Sequence, residues 1–238
     1  MQKPRKNIDL VIPFNNEFQN LQILLPQILK TIKKIKNFNI RIVFIDDGSQ
    51  DKGYLLIKNY QKKNRNIKIL RNNIKMGQTY CYKSYLKKFK SLYFIRMDAD
   101  NQDDPRNIKI ILKYLSAGYD LILTDRKIRK HSFYMIILNL IYDKIISMLI
   151  DRKLDTYSSS LVCYKTNTIN YRYLKNNDHR YLPIISIFNG VKKIKVFPVM
   201  HKERKFGVTK YGILKKIFFA LPEFLYFYYR LKKGLYTK

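Results

Sequence analysis

Short apolar runs that stop abruptly at polar or acidic residues, each followed by a helix-period segment, constrain this chain more than any other feature. Ile8-Asp9-Leu10-Val11-Ile12-Pro13 reads as a first strand stopped by proline, and Leu21, Leu24, Leu25, Ile28, Leu29 and Ile32 then recur at helical spacing. Ile40 to Ile45 is a second buried strand, ending in the turn and helix cap Asp46-Asp47-Gly48-Ser49-Gln50-Asp51 before a helix over Leu55 to Tyr60. Ile67 to Leu70 is a third strand, with a helix from Gly77 to Phe89, and Leu92 to Met97 a fourth. A helix beginning at Pro105 runs to Leu115, Gly118 closes it, and Tyr119 to Thr124 is again a strand. Strands alternating with helices predict an α/β architecture, a mostly parallel sheet with helices on both faces. Such sheets bind ligands beyond the carboxyl ends of their strands, where Pro13, Asp46-Asp47 and Asp98-Asp100 all fall.

The fourth run is the most informative. Asp98 and Asp100 are two residues apart, so an extended segment points both side chains to one side, and Gln102 continues the spacing with a neutral oxygen. Two carboxylates and an amide oxygen suit Mg²⁺ or Mn²⁺ with open positions for phosphate oxygens. The alternative is a solvated acidic turn capping the next helix. The chain has no Gly-rich phosphate loop of the dinucleotide or P-loop type, which argues against a dehydrogenase or an NTPase.

The 238 residues are enough for one sizeable core and one domain with an appendage. Forty-eight Lys+Arg against 17 Asp+Glu give a net charge of +31, which attracts nucleic acid, anionic headgroups or phosphorylated substrates. Cys81 and Cys163 are too few for a disulfide framework and fit a reducing compartment, and His131, His179 and His201 form no metal-ligand pattern. The first residues do not read as a signal peptide, and no run reaches the roughly 20 apolar residues of a membrane span. The expected location is peripheral, at the cytoplasmic face of a membrane.

Three motifs in order carry a resemblance. Pro13-Phe14-Asn15-Asn16-Glu17 resembles the P-x-x-N-E opening of inverting GT-A glycosyltransferases, and Asp46 to Asp51 resembles their D-D-G-S-x-D turn. Met97 to Asp103 is similar to the M-D-A-D-x-Q-D of the branch holding dolichol-phosphate mannose synthase and the bacterial polyprenyl-phosphate glycosyltransferases. The resemblance covers about residues 8 to 215 and implies a GT-A fold, to which the residues beyond it are expected to add C-terminal amphipathic helices. It implies that Pro13, Asn16, Glu17 and Asp46 or Asp47 border the nucleotide, and that Asp98, Asp100 and Gln102 hold the metal bridging the diphosphate. One departure is Asn72 to Gly77, where the family often has two glycines; only Gly77 remains, and no role is carried there.

In the second half, the resemblance brings Arg126 to a lipid phosphate; an ordinary surface arginine is the alternative. Ser132, placed with the substrate-binding residues, opens an apolar stretch to Ile150 whose Asn139, Asp143 and Ser147 form one polar stripe. That stretch suits a helix in a membrane interface or a core helix, and Lys127, Arg129 and Lys130 before it favour the interface. Asp155 is a general base or a loop-ordering residue. Strands follow at Leu161 to Tyr164 and Lys193 to Val199. Arg204-Lys205-Phe206-Gly207-Val208-Thr209-Lys210-Tyr211 then resembles the family's R-x-x-G-x-S-K-Y, with Thr209 for Ser. Arg204 and Lys210 on such a glycine-hinged loop can close over phosphates.

Residues 1–212 are therefore the expected catalytic domain, and 213–238 an aromatic, basic amphipathic tail fitted to a headgroup boundary. Anchoring would be peripheral or supplied by a partner protein. The expected reaction is metal-dependent inverting transfer from a nucleotide-diphosphate sugar to a polyprenyl phosphate. A sugar hydroxyl acceptor, with Asp155 as base, is the alternative. From other classes, an inactive scaffold or a nucleic-acid binder remains, the latter disfavoured by the acid-rich strand ends.

Overall fold

The computed structural model describes residues 6–126, 160–200, 202 and 213–237, with the side chains of 126 and 213–221 outside that description. The elements in order are β1 (Lys6–Phe14), α1 (Phe18–Lys33), β2 (Phe38–Asp47), α2 (Gly53–Lys63), β3 (Ile67–Asn72), α3 (Gln78–Lys88), β4 (Tyr93–Arg96), α4 (Asn107–Ser116), β5 (Leu121–Arg126), β6 (Val162–Lys165), α5 (Leu182–Phe188), β7 (Ile194–Val199) and α6 (Ile213–Lys232). The seven strands form one sheet in the order β3-β2-β1-β4-β6-β5-β7. β1 lies between β2 and β4, parallel to both, with Ile8 opposite Ile40 on one side and Tyr93 on the other. β6 alone among the described strands runs against its neighbours, pairing antiparallel with β4 and β5. This is a mostly parallel sheet with helices on both sides, as the sequence predicts.

Why the central strands read as near-continuous apolar runs is plain from the two cores, because a parallel strand is buried on both faces. Ile8, Leu10, Ile12, Ile42 and Phe44 point to one side and meet Leu21, Leu24, Leu25 and Ile28 of α1, Ile57 of α2 and Ile108 and Ile111 of α4. The alternate residues Val11, Val43, Ile45 and Phe94 point to the other and meet Cys81, Tyr82 and Tyr85 of α3, Leu182 and Ile185 of α5, and Phe224, Phe227 and Leu231 of α6.

Three element boundaries differ from the sequence reading. β1 is not stopped by Pro13 but runs on to Phe14. β4 pairing ends at Val11, so Pro13 keeps a strand neighbour on one side, and a missing N–H is tolerated there as on an edge. Asp46 and Asp47 belong to β2, opposite Arg71 and Asn72 of β3, not to the turn. α4 starts at Asn107, with Pro105 and Arg106 in the turn before it. Gly118 does close α4: its φ is 86°, and its N–H bonds Leu115 O while that of Tyr119 bonds Tyr114 O.

The terminal helix has two aromatic faces. Phe224, Phe227 and Leu231 are buried, with Tyr181 stacked on Phe227 at 4.2 Å, while Leu225, Tyr226 and Tyr229 are exposed. The reading of 213–238 as a tail facing headgroups thus meets a segment that buries three of the six aromatics whose side chains are described, Phe224, Phe227 and Tyr236. No described helix is long and apolar enough to cross a membrane. The stretch 132–150 lies outside the described residues.

A buried ion pair fastens this helix. Arg230 donates to both Asp178 oxygens at 3.0 and 2.6 Å, and the Tyr236 hydroxyl and Lys175 N–H add bonds of 2.7 and 2.6 Å. Both charged side chains are at most 5% exposed. Removing one partner strands the other charge, so Asp178→Ala should lower stability by about 3–5 kcal/mol. Urea unfolding checks this, and a shift under about 1 kcal/mol would contradict it.

Candidate active site

The loops leaving β1 and β2 are stitched together by side chains that take up backbone N–H groups. The Asn16 N–H bonds the Ser49 hydroxyl at 3.0 Å, and the Gln50 N–H returns a bond to Asn16 Oδ1 at 2.8 Å. Asn16 has φ 58°, a left-handed conformation that asparagine tolerates. Asn15 donates to Asp47 O at 2.8 Å. Asp51 accepts from the N–H of Phe18 at the start of α1 and of Gly53 at the start of α2, at 2.8 and 2.9 Å. The spacing of D-D-G-S-x-D is therefore a capping arrangement for two helices at once.

The two adjacent acids have separate partners. Asp46 is fully buried; one oxygen accepts the Ser49 N–H at 2.9 Å and the other faces Arg71 at 3.2 Å. The Arg71 guanidinium in turn lies 4.3 Å over the Tyr54 ring. Asp47 accepts from Asn72 Nδ2 at 2.9 Å and from the N–H groups of Met76 and Gly77, both at 2.8 Å. Asp47 is thus occupied in shaping 72–77, the stretch to which the sequence assigned no role. Gly48 (φ 71°) lies under that loop, where a Cβ would come within 2.5 Å of the Ile74 carbonyl carbon.

The segment after β4 is held differently from the expectation. The strand ends at Arg96 and residues 99–101 bend, so strand alternation does not decide where Asp98 and Asp100 point. The turn is fixed by Asn101 (φ 61°), whose amide donates to Asn20 O at 2.8 Å and Asn20 Oδ1 at 3.2 Å, while Asn20 donates to Glu17. This chain of amides joins 98–102 to the Asn16-Glu17 turn. Asp98 and Asp100 are half-buried. Asp98 accepts from Gln78 at 3.4 Å, and Asp100 accepts the Gln102 N–H at 3.2 Å. Gln102 also exchanges bonds with Lys202, its side-chain amide N–H donating to Lys202 O at 3.4 Å and its backbone carbonyl accepting the Lys202 N–H at 2.9 Å. Asp103, the last acid of the motif, is buried and accepts from the Ser160 hydroxyl.

Among the described residues, no three His, Cys, Asp or Glu side chains gather as a metal cage. The donors present, Asp98, Asp100 and the Gln102 amide, are hard oxygens and too few to enclose an ion. Such a set fits Mg²⁺ or Mn²⁺ sharing its shell with phosphate oxygens.

Behind Asp98 lies a group the sequence reading missed. Arg96 is buried and donates to His179 O at 2.7 Å. The His179 ring nitrogen shares a 2.9 Å bond with the Thr79 hydroxyl. Burial, then the charges of Arg96 and Arg180, push the His179 pKa down to about 2, so the ring is neutral at pH 7. An arginine inside the apolar run Phe94-Ile95-Arg96-Met97 was the signal available.

The remaining sequence candidates divide into two groups. Pro13 is buried near the end of β1, and Arg126 ends β5 opposite Val199, on the same sheet edge. Ser132, Asp155, Arg204, Thr209 and Lys210 lie outside the described residues.

Because three hydrogen bonds converge on the Asp47 carboxylate, Asp47→Ala should destabilise the chain by about 2–4 kcal/mol through the 72–77 loop. Hydrogen exchange at Met76 and Gly77 should speed up first; unchanged protection there would refute the assignment.

Comparison with known proteins places this geometry. The family described as Glycosyl transferase family 2 matches residues 9–183. An undecaprenyl-phosphate 4-deoxy-4-formamido-L-arabinose transferase of Photorhabdus laumondii is 27% identical over 213 residues, covering 89% of this chain and 65% of that protein. The protein of the same name from Pectobacterium atrosepticum is 28% identical over 213 residues, with 89% and 64% covered. The chain thus spans just under two thirds of the length of these relatives. Among solved structures, glucosyl-3-phosphoglycerate synthase from Mycobacterium tuberculosis with Mn²⁺ and UDP-glucose superposes with a TM-score of 0.64 at 12% identity, over 91% of this chain and 78% of that one. TarS 1–349 of S. aureus superposes with a TM-score of 0.60 at 17% identity, over 82% and 59%. These two establish likeness of fold. With the matched family spanning most of its length and its motifs at the strand ends, the chain belongs to glycosyl transferase family 2.

Proposed function

We propose that this chain is an inverting glycosyltransferase that moves a sugar from a nucleotide-diphosphate sugar to a polyprenyl phosphate, peripherally at the cytoplasmic face of a membrane. The observation that carries the reading is the junction at the sheet edge. The Asn101–Asn20–Glu17 bonds bring the acid pair Asp98 and Asp100 beside the Asn16-Glu17 turn, itself tied to the loop after Asp46. The names of the relatives support a polyprenyl-phosphate acceptor, and the Mn²⁺ and UDP-glucose bound to a fold neighbour support the donor class.

In this reading Asn16, Glu17, Pro13 and Asp46 or Asp47 border the nucleotide, the buried Asp46 through the Ser49 turn it holds and Asp47 through the 72–77 loop. Asp98, Asp100 and Gln102 hold Mg²⁺ or Mn²⁺, which when bound neutralises charge on the leaving diphosphate. The acceptor phosphate, with a second pKa near 6, is already largely dianionic at neutral pH and needs no strong base. It needs cations to place it, and Arg126, Arg204 and Lys210 take that role, with Ser132 and Thr209 as neutral donors. Asp155 then orders its loop; with a sugar hydroxyl as acceptor it would instead be the base that takes the proton. At the membrane, the exposed Leu225, Tyr226 and Tyr229 with Lys232 and Lys233 offer an aromatic, basic face to headgroups, alone or beside an anchoring partner protein.

The direct test is transfer from labelled nucleotide-sugars to a short-chain polyprenyl phosphate, with Mn²⁺ or Mg²⁺ and with EDTA. The expected result is metal-dependent label in the lipid extract; metal-dependent donor hydrolysis without lipid product would move the acceptor to a hydroxyl. Asp100→Ala should lower transfer at least about a hundredfold with circular dichroism unchanged. Retained activity in that folded variant would remove Asp100 from metal binding. Arg204→Ala should reduce the transfer rate about a hundredfold while leaving Mn²⁺ affinity within about twofold, and an unchanged rate would exclude the loop.

A further inference from the structure

The flank between α1 and α4 carries a second, strongly cationic site. A cavity of about 320 Å³ there is lined by Lys30, Lys34, Arg106, Lys109 and Lys202, with Asp104 as its one acid. It adjoins another of about 390 Å³ that shares Lys34 and Lys109 and adds Lys36 and Lys113. Neither α1 nor α4 contains a carboxylate. Lys30 and Lys34 on one wall, and Lys109 and Lys113 on the other, are each four residues apart, a spacing at which like charges repel on a helix. Asp104 does not balance them: it is taken by Arg106 at 2.6 Å and by Lys202 at 3.4 Å. Hydrogen bonds from Arg106 and the Lys202 charge outweigh burial and hold the Asp104 carboxyl down at about 2. Two helix walls that repel each other across a concave gap are relieved by a multivalent anion in it.

We propose that the α1–α4 cleft binds a phosphate-bearing anion, either free, as pyrophosphate is, or presented as the headgroups of an anionic lipid surface. The inference is independent of the transferase reading, although Lys202, at one end of the cleft, is also the backbone partner of Gln102 at 2.9 Å.

Calorimetric titration of the chain with sodium pyrophosphate, in EDTA so that no divalent cation contributes, tests it. The variant Lys30→Glu/Lys109→Glu is compared with Lys58→Glu/Lys62→Glu on α2, which changes net charge equally. Expected is one pyrophosphate per chain, bound about tenfold or more weakly by the cleft variant and within about twofold by the α2 variant. Sedimentation with phosphatidylglycerol-containing vesicles, and with phosphatidylcholine alone, separates the sources. Vesicle binding lost in the cleft variant and competed by pyrophosphate identifies a headgroup; vesicle binding unaltered while pyrophosphate affinity falls identifies a free anion. Equal weakening in both variants, in both assays, would overturn the site and leave only the net charge of the protein. So would the absence of binding to both probes.

Discussion

Backbone N–H groups left over where parallel strands run out of ladder are the constraint on which the site depends. Buried amides must find an acceptor, and here the acceptors are mostly carboxylates and asparagines. Asp46 serves Ser49, Asp47 serves Met76 and Gly77, Asp51 serves Phe18 and Gly53, Asn16 serves Gln50 and Asp100 serves Gln102. The acids that look like a ligand-binding edge are therefore also the scaffold of that edge. A carboxylate that accepts two or three N–H bonds is fixed in direction before any ligand arrives. That rigidity preorganises the loops beyond the strand ends, as a site of the proposed kind requires.

This double duty explains which parts of the site were legible in the sequence. The strands were, because burial on both faces writes an apolar run that no loop imitates. The motif positions were, because the acids sit where those runs stop. What each acid touches was not. Asp46 and Asp47 are adjacent, yet one faces Arg71 and the other closes on 72–77, a loop about 30 residues further along. Asp98 and Asp100 were read as neighbours on an extended segment, whereas Asn101 in a left-handed conformation turns the chain between them and Gln102. Such contacts depend on residues far apart in the chain, and no local period reports them.

The terminal helix shows the same limit from another side. Phe224, Phe227 and Leu231 recur at three and four residues, but so do Leu225, Tyr226 and Tyr229. With aromatic residues on both faces, periodicity predicts an amphipath without saying which stripe is core. Arg230 is the residue that decides, since its buried guanidinium must meet Asp178. A basic residue followed closely by the exposed Lys232 and Lys233 carries no mark of being the buried one.

Charge ties these observations together. Among the described residues, the cations that enter the interior are matched or hydrogen-bonded: Arg41 with Asp9, Arg230 with Asp178, Arg96 with the His179 carbonyl. Matching them uses buried acids from a chain with only 17 Asp and Glu, so the excess is left at the surface, as on the two acid-free helices α1 and α4. A surface of that sign raises the local concentration of phosphate-bearing anions. The interior pairs, meanwhile, set geometry. Asp178 and His179 are consecutive, so the tie to Arg230 and the tie to Arg96 share one turn of chain. The backbone two residues before Asp98 is thereby held against α3 and the terminal helix together, by bonds spanning 83 and 52 residues of sequence.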